Sequence, residues 1–279
     1  MLDKVNIKKA NRVAIAGNTA MLHILLNLPC HTLGEAPFTP VTLELIEKNY
    51  AEVFGQDLAR EVIILPGFST FAGADLASGL LAVDWKNCKG YNLLIDLGTN
   101  CEMALFSYST GKIYVTAAAA GPAFRRADIN GTNMIDLIAE LLKSGQIDTN
   151  GRISNYNAAT LSQEDISEIQ LAKSAVRAGI EILLNNANIC YDTLEKIFLA
   201  GTFGEYINVE NAGVLGLFPQ ELIKKVTPVG NSSLMGCIKL LENSNLCDEI
   251  TQFAKSAEEI NLANHPQFYD LFITHMNMG

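Results

Sequence analysis

The chain has 279 residues, 49% hydrophobic and 18% charged, which excludes a disordered tail and provides for a sizeable core. With 30 acidic side chains against 20 basic ones, the formal net charge of −10 argues against non-specific binding to nucleic acid or anionic lipid, because both need a basic face. No apolar run reaches the roughly 18 residues that span a bilayer, and the polar start lacks the apolar stretch of a secretory signal, so a cytoplasmic protein is expected.

In chain order, residues 12–18 (RVAIAGN) read as a buried strand turning at glycine. An apolar helix follows (MLHILLNL), with His23 as a core or interface residue. Residues 61–67 (EVIILPG) form a second such strand, and a helix opens near Gly73-Ala74-Asp75, with Asp75 either capping it or facing a ligand. Three strand candidates joined by tight turns come next: 91–97 (YNLLIDL), 101–107 (CEMALFS) and 112–118 (KIYVTAA), the last two linked by a hairpin turn at Tyr108-Ser109-Thr110-Gly111. Residues 117–124 (AAAAGPAF) leave the third strand through small side chains, followed by Arg125 and Arg126. A helix is expected over 133–143 with Gly145 as its stop, a turn at Asp148-Thr149-Asn150-Gly151, and a longer helix from an N-cap at Ser162 to about 186. Two further strand and glycine units stand at 196–202 (KIFLAGT) and 225–231 (KVTPVGN).

Aligned with each other, RVAIAGN matches KIFLAGT, and LPGFSTFAG (65–73) matches PVGNSSLMG (228–236), in the same order in both halves. This implies a duplicated strand–helix–strand–helix unit. The second copy is preceded by three strands, whereas the first has only 11 residues before it, so its counterpart hairpins are missing. The expected division is therefore 1–88, a partial first subdomain with two strand–helix units, and 89–279, a complete second one. The open sheet edge left by the missing strands predicts association with a second copy or with another polypeptide.

Chemistry concentrates at Asp96-Leu97-Gly98-Thr99-Asn100-Cys101-Glu102. A carboxylate at a strand end, a glycine where backbone can approach an anion, and Thr and Asn donors suit a phosphate loop with Mg²⁺ held through Asp96 by way of water. An ordinary glycine turn is the plainer alternative. Glu102 either faces the same site, as a base or a ligand to metal-bound water, or is a solvated strand residue. Gly201-Thr202-Phe203-Gly204 ends a strand ahead of a helix and offers backbone N–H groups and a thin wall for a nucleotide. Asn18 and Asn231, each after a glycine, are better read as helix caps. Neither GxxxxGK[ST] nor GxGxxG occurs, and the four histidines have no metal spacing. The six cysteines, Cys30, Cys88, Cys101, Cys190, Cys237 and Cys247, lack CxxC or cluster spacing, and most are expected to be buried thiols.

With DLGTNCE at its centre, AGNTAMLHILL, LGEAPFTPV and LPGFSTFAGAD before it, and AAGPAF, EIQLAKSAVRAGIEILL, LAGTFGEYI and VGNSSLMG after it, the chain resembles the C-terminal ATPase-like domain of the reductive activators of corrinoid proteins. These belong with acetate and sugar kinases, chaperone ATPases and actin, and the resemblance runs over residues 12–272. It implies an α/β, actin-like and ribonuclease H-like fold of duplicated βββαβαβα units, here with the first half truncated, and a nucleotide cleft. It further implies ATP and Mg²⁺ as cofactors, a corrinoid protein as partner, and ATP-dependent return of Co(II) corrinoid to Co(I). Asp96, Gly98, Thr99 and Asn100 would then form the second phosphate motif, and Gly201 to Gly204 the base side of the cleft.

Three departures accompany the resemblance. The family's first phosphate motif has no counterpart, the cysteines of its iron–sulfur domain are absent, and Arg125-Arg126 begins a shortened path to Gly131-Thr132-Asn133 where the family continues with Glu-Gly and a longer loop. Cys101 also stands where glycine is usual. A degenerate interaction module that kept the fold without hydrolysis is the alternative these departures favour.

Overall fold

The computed structural model describes residues 9–83, 85–88, 90–98, 100–120, 134–154, 161–201, 204 and 207–279. The chain divides into two compact units, Met1–Trp85 with Asn231–Glu259, and Lys86–Gly230 with Ile260–Gly279.

In the first unit, the apolar runs of β1 (Ala10–Ile15) and β3 (Ala59–Ile64) pair in parallel, with Arg12 opposite Glu61 and Ile15 opposite Ile64. Helix α1 (Thr19–Leu25) follows β1 and is capped by Asn18, whose side chain accepts from the Met21 N–H at 2.9 Å. A strand the sequence did not signal, β2 (Ile46–Asn49), lies antiparallel to β3 and completes the order β1-β3-β2. Its sequence, IEKN, has one apolar residue and is short, so neither an apolar run nor alternation marks it. The sheet thus has one strand more than the two expected, but the addition sits beside β3. Among the described residues no strand pairs with the outer side of β1.

Helix α2 (Ala74–Ala82) packs against α5 (Ser232–Glu242), and Ser78 Oγ donates to the Ser233 carbonyl at 2.7 Å. Helix α6 (Leu246–Ser256) closes this layer, with Trp85 edge-on to Phe253 at 4.6 Å. Residues 231–259, distal in sequence, fold with the first unit. The cause is local. Gly236 has no side chain, and an ideal Cβ there would fall 1.8 Å from the Ser78 carbonyl oxygen, so only glycine permits the helices to approach this closely.

The second unit has strand order β8-β7-β4-β5-β6: β4 (Tyr91–Leu97), β5 (Cys101–Ser107) and β6 (Lys112–Ala118) form an antiparallel meander, and β7 (Leu194–Ala200) and β8 (Val226–Gly230) add in parallel. All three meander strands have the bounds expected from the sequence. At the hairpin, Gly111 N donates to the Ser107 carbonyl at 3.0 Å. Helices α3 (Met134–Lys143) and α4 (Gln163–Asn186) cover the sheet, and Ser162 and Asp165 form a capping box at the start of α4. Buried Ile166, Ile169, Val176, Ile180 and Leu183 of α4 join Leu93, Ile95, Leu97, Met103 and Leu105 in one core, each side chain contributing roughly 1.5–3 kcal/mol. No helix among the described residues is long and apolar enough to cross a membrane.

Candidate nucleotide site at the ends of β4 and β7

The sheet of the second unit brings two separate turns together. Its register sets Asp96 on β4 opposite Glu102 on β5 and opposite Ala200 on β7, so the DLGTN turn and the glycine turn after β7 leave the sheet side by side. Cross-strand partners share a face, so the Asp96 and Glu102 carboxylates project the same way. Glu102 is buried, 7% exposed, which removes the solvated-strand reading; Asp96 is half-buried.

Two glycines lie against Asp96. Gly98 N donates to the Asn100 carbonyl at 3.0 Å, tightening the turn, and a Cβ on Gly98 would stand 3.6 Å from Asp96 Oδ1. Gly201 has φ +89°, and a Cβ there would lie 2.6 Å from Asp96 Oδ1 and 2.5 Å from the Leu97 carbonyl oxygen. Backbone conformation and space therefore both demand glycine at 201. Gly204 is buried, and its Cβ would meet the Leu199 carbonyl at 3.1 Å. Thr99, Thr202 and Phe203 lie outside the described residues, as do Arg125, Arg126 and the AAGPAF segment from Gly121 onward.

Like charges directly opposed across a sheet are unfavourable unless a cation or proton intervenes. Two carboxylates are hard oxygen donors, the kind Mg²⁺ takes, and this ion usually completes its coordination with waters and substrate phosphates. The residues present thus fit such an ion. Among the described residues no group of three or more His, Cys, Asp or Glu is placed to hold a metal by itself. Cys101 is fully buried, in the core that α4 covers. Burial, reinforced by the Asp96 and Glu102 carboxylates, pushes its thiol well above the ordinary range, so it is held as an inert neutral thiol.

The other residues singled out in the sequence serve local structure. Asn231 caps α5 by accepting from the Leu234 N–H at 2.9 Å. Asp75 accepts from the Leu76 N–H at 3.0 Å in the first turn of α2. His23 is buried, its Nδ1 donating to the Thr19 carbonyl at 2.8 Å and its Nε2 accepting from the Val41 N–H at 2.9 Å. Of the cysteines, Cys88, Cys101 and Cys237 are buried and Cys190 is exposed.

One polar cluster had no signal in the sequence. Glu181 of α4 accepts from Tyr191 Oη at 2.6 Å, and stands 2.8 Å from His275 Nε2 and 3.5 Å from Arg177 Nη2. Burial pushes the Glu181 carboxyl up, but the contacts with His275 and Tyr191 and the Arg177 guanidinium outweigh it and hold the group at about 2. Behind it, Gln170, Lys173 and Ser174 donate to the carbonyls of Met276, Asn277 and His275 and secure that segment against α4.

Against known families, residues 90–130 and 153–279 match the C-terminal domain of RACo, the ASKHA domain, and residues 2–87 match the RACo middle region. The chain is 26% identical over 346 aligned residues to the corrinoid activation enzyme RamQ of Eubacterium limosum, covering 99% of this chain and 57% of that protein. It is 24% identical to the [Co(II) methylated amine-specific corrinoid protein] reductase of Methanosarcina barkeri, covering 98% of this chain and 64% of the relative. A solved reductive activator for corrinoid, iron-sulfur protein superimposes with a TM-score of 0.87 at 25% identity, over 99% of this chain and 54% of that one. The chain therefore spans between half and two thirds of the length of these relatives. The alignment with the Eubacterium protein covers 346 positions against 279 residues here, so that relative carries interior segments this chain lacks.

Proposed function

The chain belongs to the RACo family, whose middle region and C-terminal ASKHA domain it matches along most of its length, and from that membership we propose that it binds Mg-ATP and supports ATP-dependent return of a Co(II) corrinoid protein to Co(I). The observation that carries this reading is the close approach of the Gly201 turn to the Asp96 carboxylate, which brings the two glycine turns together at an acidic strand end. In this reading Thr99 and Asn100 donate to phosphate oxygens, Gly98 lets the backbone come close to them, and Asp96 orients Mg²⁺ through water. Glu102 holds a second water or acts as base, and Gly201 to Gly204, including Thr202 and Phe203, form the wall beside the base. Mg²⁺, when bound, would offset phosphate charge. Phosphoryl chemistry asks a protein mainly for positioning and electrostatic stabilisation, which these groups supply. The ATP-bound form docks to a corrinoid protein, and a separate low-potential donor provides the electron.

Calorimetric titration with a non-hydrolysable ATP analogue and Mg²⁺, beside Asp96→Ala, tests the site. Saturable binding that the substitution abolishes supports it. Absence of heat from the folded wild-type chain overturns it. The activity is tested by the appearance of Co(I) absorbance when the chain, ATP, a corrinoid protein and an external reductant are combined, compared with the same mixture without ATP.

A second reading, a non-catalytic interaction module, is favoured by the three-stranded sheet of the first unit and by the interior segments that the Eubacterium relative has and this chain lacks. Its mark would be docking to a corrinoid protein that neither ATP nor Asp96→Ala alters.

A further inference from the structure

The first unit has a polar cavity of ≈ 450 Å³, lined by Arg12, Glu47, Lys48, Asn49, Arg60 and Glu61. That volume falls within the roughly 300–1,000 Å³ of small-molecule sites. Strand register explains the charge pattern. Arg12 of β1 stands opposite Glu61 of β3, Glu61 stands opposite Asn49 of β2, and Glu47 lies two residues from Asn49, so the four share one face of the sheet. Arg12 and Glu47 are separated by two strand spacings, roughly 10 Å between their backbones. Arg12 Nη2 donates to the Leu241 carbonyl at 2.8 Å, and among the described residues the guanidinium has no ion pair, although Glu61 is its cross-strand neighbour. Glu61 is instead 3.7 Å from Arg60 Nε. Glu47 lies 3.8 Å from the Cys247 thiol of α6 and has no cation partner among the described residues. Burial first and then the Glu47 carboxylate push the Cys247 thiol up, and Arg12 pulls it back down, so opposite charges act on one sulfur without joining.

We propose that this cavity binds a small amino acid, with the ligand carboxylate on Arg12 and its ammonium group on Glu47. Opposite charges that face one cavity without pairing are each left to water, and a zwitterion satisfies both at once. A simple anion or cation would answer only one of them. The guanidinium presents a planar set of donors that matches a carboxylate, and an ammonium group has three donors to divide between Glu47 and Glu61. Three cations, Arg12, Lys48 and Arg60, against two carboxylates leave the cavity little net charge, which suits a ligand that is itself neutral overall. A phosphate ester would meet both carboxylates and be repelled. A quaternary ammonium group is disfavoured as well, because no aromatic side chain is among the described lining residues to receive it.

This inference stands apart from nucleotide binding, and its test uses the whole chain without ATP. Amide shifts over residues 46–49 and 60–63, followed by nuclear magnetic resonance, report on the cavity. Titration with glycine and with γ-aminobutyrate, whose charged groups are held at different separations, should give saturable shifts there for at least one of the two. Acetate and methylammonium, each carrying one of the charges, should bind at least tenfold more weakly. Glu47→Gln and Arg12→Gln should each weaken amino-acid binding tenfold or more. Arg12 also holds the Leu241 carbonyl, so if Arg12→Gln misfolds, the exposed Glu47 position decides. Absence of shifts with either amino acid at on the order of 10 mM would overturn the proposal. So would acetate binding as tightly as the amino acid, or binding that Glu47→Gln leaves unchanged.

Discussion

A Cβ on Gly201 would lie 2.6 Å from Oδ1 of Asp96, although the two residues are more than 100 positions apart in the chain. The parallel pairing of β4 with β7 creates this relationship, and it makes the glycine after β7 a condition for where the Asp96 carboxylate can stand.

Gly201→Ala should therefore injure the site twice, by forcing a side chain into φ +89° and by displacing Asp96. The expected loss of stability is roughly 1–3 kcal/mol, together with loss of Mg-dependent nucleotide binding. Asp96→Asn should keep the melting temperature near wild type and weaken Mg-dependent binding tenfold or more. Thermal denaturation and calorimetry on the two variants separate the effects, and a Gly201→Ala protein of wild-type stability would contradict the geometry.

Gly236→Ala tests the α2–α5 crossing of the first unit. With the Ser78 carbonyl where the new methyl would go, the helices must separate, at an expected cost of roughly 1–3 kcal/mol or more. Ser78→Ala loses only the hydrogen bond to the Ser233 carbonyl and should cost about 0.5–1.5 kcal/mol. Urea unfolding of both variants gives the comparison, and the glycine substitution should be the more damaging.

Glu181 predicts a loss of stability in acid. Its carboxyl is held at about 2, below its ordinary 4.5, so its contribution is complete above that ordinary value and disappears as pH falls from there towards 2. Glu181→Gln should be less stable than wild type at neutral pH, and the difference should narrow through this window. Melting temperatures across the range provide the check, and a constant difference would show that His275 and Tyr191 do not act through the charge.

At Lys173 the fold opposes the charge instead of favouring it. Burial first, and then the Arg177 charge, bring its amine down from 10.5 to about 8, so the fold disfavours the charged form. Between these values the unfolded chain binds the extra proton, and stability should rise with pH. Lys173→Met should abolish that rise. It also leaves the Asn277 carbonyl without the donor now 2.6 Å away, so the segment around it should exchange its amides faster.

Elements whose signal is local were legible in the sequence. The meander of β4, β5 and β6 announces itself as apolar runs separated by glycine turns, and Asn18, Ser162 and Asn231 cap the helices their positions suggested, because a cap depends on a few neighbouring atoms. Strand β2 was not legible, since IEKN is held in place by pairing with β3 rather than by a pattern of its own.

At the candidate site the available chemistry is already readable along the chain: a carboxylate at a strand end, glycines beside it, and a second glycine turn far downstream. Long-range packing is what brings Asp96, Glu102 and Gly201 together, turns Cys101 into the core, folds residues 231–259 with the first unit, and sets Glu181 beside His275 and Tyr191. One cause underlies all four. Capping and turn formation are settled within a few residues, whereas strand register and close helix crossing depend on atoms distant in the chain, where one missing Cβ or one cross-strand partner selects the neighbour.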